Sequence, residues 1–406
     1  MNFNNINQKI CGYSLSATFF FILISTFVTN IAVLLAVISS LVLIIKKNDI
    51  YETFIDNKVN LSAILIFFLF IISLIYTSAD FKDGISVLKK YVKLIYIPFI
   101  FYALQNDWIR RKCINYFIFG STIVLILSYL KYFQIFNPSE IVEFLGIEYN
   151  EKLVGTKSTI FQHSIIHGVI LSFYSYLTFL KAKNTKSLIF LILSFLSFYN
   201  VLFINISRTA YLIVIIILLV LIISNIKKNN IISILLTMFF LISCFSLANT
   251  NIISDRLENI RVDLVKFKKR DFDTSLGLRL IWIDNGFENI RNKPFIGHGV
   301  GSYKDTIEKY ANANNIKSEL LITQNPHNEF ISISSQIGIL GLLAFFYFLF
   351  NLFKDAYLKE IGICVIPIII IGSSLNSMLY DNILGIFSIL IISLAIQNTK
   401  KIQPIY

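Results

Sequence analysis

Charge is scarce in this chain. Only 15% of its 406 residues are Asp, Glu, Lys or Arg, against about 25% in a soluble domain. Acidic residues are fewer than basic ones, 24 against 36, and none of them falls near the middle of an apolar stretch. That gap argues against an ion- or proton-coupled carrier, which places ionisable groups at mid-membrane, where they are costly and functional. No Walker A sequence is present to drive a pump. The four cysteines, Cys11, Cys113, Cys244 and Cys364, lie far apart, inside or at the edge of apolar blocks. They make neither a disulfide framework nor a metal site. There is no repeat of fixed period and no low-complexity tract. The net charge of +12 is spread over many loops, so no single basic face points to nucleic acid.

Apolar residues, by contrast, make up 56% of the chain, and the mean hydropathy is +0.71. They arrive in blocks of about 18 residues or more, the length that crosses about 30 Å of hydrocarbon as a helix. Twelve spans are expected, near 10–27, 29–45, 59–76, 87–104, 113–130, 164–180, 187–204, 209–226, 231–248, 328–350, 361–378 and 383–396. The first run, Cys11 to Ile45, is too long for one helix and is expected to turn at Thr29-Asn30. It also exceeds a signal-peptide core and lacks a small-residue cleavage site, so the N-terminus is expected to stay attached. The last span is the shortest, which leaves an eleven-span arrangement open.

Basic residues orient these spans. With a cytoplasmic N-terminus, sixteen Lys and Arg fall in cytoplasmic segments, among them Lys46, Lys47, Arg110, Arg111, Lys112 and Lys181. The short loops on the other side carry eight. An even number of spans returns the C-terminus to the cytoplasm beside Lys400 and Lys401. The expected fold is an all-α polytopic membrane protein: a membrane bundle over 1–248, one large extracytoplasmic helical loop over 249–327, and three further spans over 328–406. In that loop Leu280, Ile283, Phe287 and Ile290 recur at helical spacing, predicting an amphipathic helix that stops before Pro294. A second polar helix is expected from Tyr303 to about Asn314.

The candidate chemistry gathers at the extracytoplasmic face. Ser207 can cap the helix that follows, placing Arg208 in its first turn beside unpaired backbone N–H groups. Such a residue is either an anion site or a snorkelling interfacial arginine. Arg279, three residues before Trp282, is a second candidate, with a solvated helix face as the alternative. Gly297-His298-Gly299-Val300-Gly301 follows a helix and Pro294, not a strand, so the dinucleotide reading fails and turn glycines are the better account. In Asn325-Pro326-His327-Asn328-Glu329, Asn325 reads as an N-cap and Pro326 as the first helical residue, which puts His327 in the first turn. The helix dipole there disfavours imidazolium, so His327 is either a proton acceptor or an unreactive capping residue. His163 and His167 are four apart, but no carboxylate shares their helix and the Glu of a zinc-protease motif is missing.

Taken in order, Ile206-Ser207-Arg208-Thr209-Ala210, Leu278-Arg279-Leu280-Ile281-Trp282, Asn292-Lys293-Pro294-Phe295-Ile296-Gly297-His298-Gly299-Val300-Gly301, Pro326-His327-Asn328-Glu329-Phe330 and Gln336-Ile337-Gly338-Ile339-Leu340-Gly341-Leu342 resemble the O-antigen ligase family of bacterial inner-membrane proteins. The resemblance covers about residues 155–350. It implies a GT-C-like glycosyltransferase that inverts the anomeric carbon and needs no metal or other cofactor. The donor would be a glycan on undecaprenyl pyrophosphate, the acceptor a lipid A-core hydroxyl, and the site would face the periplasm. Arg208 and Arg279 would hold the pyrophosphate, His327 would orient or deprotonate the acceptor, and Trp282 and Asn328 would help bind substrate. A polymerase of O-antigen or capsule, using the same donor, is the alternative. Members that attach glycan to protein usually extend past the last span, so that version is not expected of a chain ending at Tyr406. A lipid-linked glycan flippase would need charged central spans, which are lacking here.

Overall fold

The computed structural model describes residues 3–135, 137, 159–205, 207–226, 238 and 251–397. The expected span at 231–248, Met238 apart, and Cys244 therefore lie outside the described residues. Within them every element is helical. The first half holds α1 (Phe3–Phe21), α2 (Thr26–Lys47), α3 (Lys58–Ser73), α4 (Phe81–Tyr91), α5 (Lys93–Leu104) and α6 (Asp107–Tyr132). Then come α7 (Ser164–Thr185), α8 (Leu188–Tyr199, continued by one wide turn, Asn200–Ile204) and α9 (Arg208–Ile226). A polar region holds α10 (Asn251–Lys268), α11 (Ser275–Asn292) and α12 (Tyr303–Ala313). The last three are α13 (Glu329–Ala356), α14 (Glu360–Leu375) and α15 (Asn382–Ala395).

Four helices, α2, α6, α7 and α13, are long and apolar enough to cross a membrane, and shorter apolar helices accompany them. α7 and α15 are buried on nearly all sides, as expected of helices that are apolar all round. Phe117, Phe173 and Phe387 interlock between α6, α7 and α15, with ring centroids 5.6 Å apart from Phe173 to each neighbour. Outer helices leave large apolar side chains exposed, such as Phe27, Phe68, Phe119, Ile223 and Leu343. An apolar exterior over a packed core is what a bilayer requires of its solute.

Hydrogen bonds between distant segments give the bundle two ends. At one, Gln162 Nε2 donates to Thr26 Oγ1 (3.3 Å), Asn205 Nδ2 to Ser164 O (3.0 Å), Asn376 Nδ2 to Thr209 Oγ1 (2.9 Å) and Val300 N to Ser73 Oγ (3.1 Å). At the other, Tyr102 OH donates to Asp49 (2.9 Å), Lys181 Nζ to Asn115 Oδ1 (2.7 Å) and Gln397 Nε2 to Phe101 O (3.0 Å). Lys183 meets Glu360 at that second end, at 3.7 Å. Among the described residues, the basic segments around Lys46 and Lys47, around Arg110, Arg111 and Lys112, and around Lys181 and Lys183 share the second end.

Three local expectations are corrected. The first turn lies at residues 22–25, not at Thr29-Asn30: Ser25 caps α2 through Val28 N. Thr29 Oγ1 and Asn30 Nδ2 instead bond to carbonyls four residues back (2.7 and 2.8 Å) and stay helical. The stretch 87–104 is not one unbroken helix but parts of α4 and α5, separated at Val92. The third correction is a break inside α13 at Gly338 (φ 71°, ψ −159°). The break leaves helix carbonyls and amides unpaired, and the Pro294–Gly301 turn takes them. His298 N donates to Ser335 O (3.0 Å), Gly299 N to Gln336 O (2.8 Å) and Ile339 N to Pro294 O (2.8 Å). A Cβ at Gly338 would lie 2.5 Å from the Phe295 backbone, so only glycine permits this approach.

Candidate functional site

The first end of the bundle collects the singled-out residues. Ser207 Oγ accepts the Ala210 N–H (3.3 Å), as expected of a cap, and Arg208 is the first residue of α9. Thr274 caps α11 through Gly277 N (3.0 Å), placing Arg279 in the early part of that helix. The two arginines come close enough that the Arg208 charge, after burial, lowers the Arg279 pKa. Neither makes an ion pair with a carboxylate among the described residues. Trp282 is buried, its Nε1 donating to Leu321 O (2.9 Å) while its carbonyl accepts from Tyr303 OH (2.7 Å). The His327 ring lies against it, centroids 5.2 Å apart and tilted by 36°.

His327 does not sit in the first turn of a helix, as the sequence suggested. α13 starts at Glu329, and Asn328 is its cap, accepting from Ile331 N at 3.0 Å. Asn325 instead closes a local turn, its Oδ1 accepting from His327 N (3.0 Å) and Ser377 Oγ (2.6 Å). His327 consequently takes a left-handed backbone, φ 51°, and its ring swings out of helix register toward Trp282 and Arg279. The imidazole pKa is still lowered from its ordinary 6.5, but the causes differ from a helix dipole. Burial of the ring is the larger, followed by the Arg279 charge, with Asp381 opposing both. Asn328 also donates Nδ2 to Ser374 O (2.8 Å), so its amide is engaged at both ends.

The buried face of α11 is Ile281, Trp282, Asn285, Gly286 and Asn289, against α12 and α13. The expected stripe of Leu280, Ile283, Phe287 and Ile290 is only partly covered, with Phe287 exposed. The reason is close packing at a glycine, where Gly286 meets Ile331. The glycine turn behaves as expected: Gly297, Gly299 and Gly301 all have positive φ. His298 turns its Nε2 to Asn289 O at 3.3 Å. Burial and then Lys293 lower its pKa, and the Asn289 contact opposes them. His167 is buried with Nε2 3.4 Å from Asn200 Oδ1, while His163 precedes α7 as its cap residue.

Sequence reasoning missed the groups beneath His327. Glu329 is completely buried, and its carboxylate accepts from Tyr91 OH (2.7 Å) and Leu379 N (2.8 Å). Lys93 Nζ donates to the carbonyls of Tyr380 (3.2 Å) and Asp381. Together they pin segment 376–381, which carries Ser377 and Asp381 to the His327 side. Glu329 was legible only as a carboxylate at a span edge, and no spacing connects it to a tyrosine 238 residues earlier. Glu329→Gln is expected to lower the apparent melting temperature of the detergent-solubilised protein. An amide accepts at one end only, so either the Tyr91 O–H or the Leu379 N–H would lose its carboxylate partner, and an unsatisfied buried donor costs about 1–3 kcal/mol. Unchanged melting would show that the carboxylate does not hold the segment.

A family model described as O-antigen ligase matches residues 188–346. That stretch carries Arg208, Arg279, Trp282, His327 and the Gly338 break. No curated protein matches the chain.

Proposed function

We propose, on the premise that residues 188–346 belong to the O-antigen ligase family, that this membrane protein transfers a glycan from polyprenyl pyrophosphate to an acceptor hydroxyl. The observation that carries the reading is the pairing of Arg208 with Arg279 beside His327. Two neighbouring guanidiniums, with no carboxylate ion-paired to either among the described residues, are suited to an anion of more than one charge. In the reaction the acceptor oxygen attacks the anomeric carbon while His327 takes its proton. The bond from that carbon to the pyrophosphate oxygen breaks, and the charge left on the pyrophosphate is met by the two arginines. Attack opposite the departing group inverts the anomeric configuration. Trp282 supports the imidazole from one side. No cofactor is assigned, and the arginines take the place a metal ion holds in other transferases.

The specific form proposed is a ligase using undecaprenyl pyrophosphate and lipid A-core, in the bacterial inner membrane with the site facing the periplasm. A polymerase would use the same arginines and histidine with a second lipid-linked glycan as acceptor. Purified protein in EDTA, given lipid-linked glycan and either lipid A-core or more donor, separates the two. The ligase reading expects one product on lipid A-core, the polymerase reading expects a ladder on the lipid, and no product with either acceptor would refute both.

The proposed topology has twelve spans with both termini cytoplasmic and the helices α10 to α12 outside. Reporter fusions at Asn229 and Asn314 are expected to lie on opposite sides of the membrane. Finding both on one side would overturn it.

A further inference from the structure

A groove of about 650 Å³ runs along the outer faces of α1 and α6, from Phe20 and Phe21 toward the end of the bundle away from Arg208. It exists because these two helices approach at glycines. A Cβ at Gly12 would meet the Trp108 ring at 2.4 Å, and one at Gly120 would meet Phe20 O at 2.4 Å. With the backbones this close, the large side chains between the glycines splay outward and become walls: Tyr13, Phe20, Phe21, Tyr116 and Phe119. Asn115 is the polar side chain of the lining, and Tyr13 and Phe119 are more than half exposed. The volume lies in the range of about 300–1,000 Å³ typical of small-ligand sites.

The mouth of this groove is cationic. Lys112 Nζ sits 3.4 Å from the Tyr13 ring centroid, 4.9 Å from that of Trp108 and 5.7 Å from that of Tyr116. Lys181 Nζ, from α7, donates to Asn115 Oδ1 (2.7 Å) and lies 4.6 Å from the Phe190 centroid. Neither lysine makes an ion pair with a carboxylate among the described residues. Rings around an ammonium can recognise a choline headgroup. Here the protein's own Lys112 fills that cage, so a lipid can add only an anion.

We propose that this groove binds an anionic phospholipid, with an acyl chain along the aromatic walls and the phosphate between Lys112 and Lys181. Basic pockets between membrane helices are known binding places for anionic headgroups. The site does not depend on the transfer reading, since its two lysines lie at the other end of the bundle and it shares no residue with the transfer site.

The test compares dioleoyl-phosphatidylglycerol with dioleoyl-phosphatidylcholine on the full-length protein in detergent, by native mass spectrometry of bound lipid. Wild type is expected to retain the glycerol lipid in preference. The double variant Lys112→Gln/Lys181→Gln is expected to lose that preference by roughly fivefold per lysine, the effect of about 1 kcal/mol per basic residue at a membrane surface. Lys268→Gln, on α10, controls for net charge and is expected to keep the preference. Ala17→Trp, which fills the groove and leaves both charges, is expected to reduce retention of either lipid. A double variant with undiminished preference, or a Lys268→Gln loss of equal size, would overturn the site. Should the variants unfold, the Lys112→Arg/Lys181→Arg protein decides: it keeps both charges, and loss of preference there would refute the phosphate contact.

Discussion

Replacement of His327 by alanine is expected to lower the transfer rate by about 10²–10⁴, the usual worth of a general base, while lipid pyrophosphate still binds. The acting form is the neutral imidazole, present above the folded-state pKa. Ring burial and the Arg279 charge push that pKa below the ordinary 6.5, against Asp381. Activity is therefore expected to hold through neutral pH and to fall only as the pH drops through the lowered value. A wild-type rate limited by another step would show no such acid limb, so single-turnover transfer against pH is the measurement. A loss of only about tenfold would assign His327 to positioning and not to proton transfer. His298 is the internal control. Its backbone N and O hold the turn to α13 and to Ser78, and these bonds survive removal of the ring, so His298→Ala is expected to change little. A dead His298→Ala with an active His327→Ala would move the chemistry to the glycine turn.

Arg208→Lys and Arg279→Lys are each expected to cost about 10²–10³ in rate, or about 2.7–4 kcal/mol, the loss seen when one transition-state contact is removed. Lysine keeps the charge but not the planar fork that grips phosphate through two parallel bonds. Protein abundance is expected to stay unchanged, because both side chains are only partly buried and neither ion-pairs with a carboxylate among the described residues. Donor binding is expected to weaken in both variants, unlike in His327→Ala, so the two assays together separate leaving-group contacts from proton transfer. Wild-type rates in both arginine variants would refute their role.

How much of this could be read from the chain alone differs by the range of the interaction. Helices α2, α6, α7 and α13 were legible because apolar runs reflect the solvent of the outer surface, a property each residue carries by itself. Arg208 was legible for a similar reason, since Ser207 caps its own helix from the adjacent position. The start of α13 was misread by three residues. Asn325 and Asn328 are both competent caps, and the choice fell to Asn328 once Ser377, from a distant loop, took up Asn325 Oδ1. The stripe of α11 was misread because helical periodicity names an apolar face without saying which neighbour will cover it. Gly286 let Ile331 approach, and burial went to the face beside that glycine.

The sequence by itself determined the membrane class, most helix positions and the residue types of the candidate site, since composition, caps and apolar spacing act over a few residues. Only the tertiary structure decided that Arg208, Arg279, Trp282 and His327 share one place. It also decided that Gly338 breaks α13 to receive the Pro294–Gly301 turn, and that Glu329 and Lys93 hold the segment bearing Asp381. Each of these joins groups scores to hundreds of residues apart, through buried bonds that desolvation makes necessary. No local spacing records which donor a buried acceptor will find.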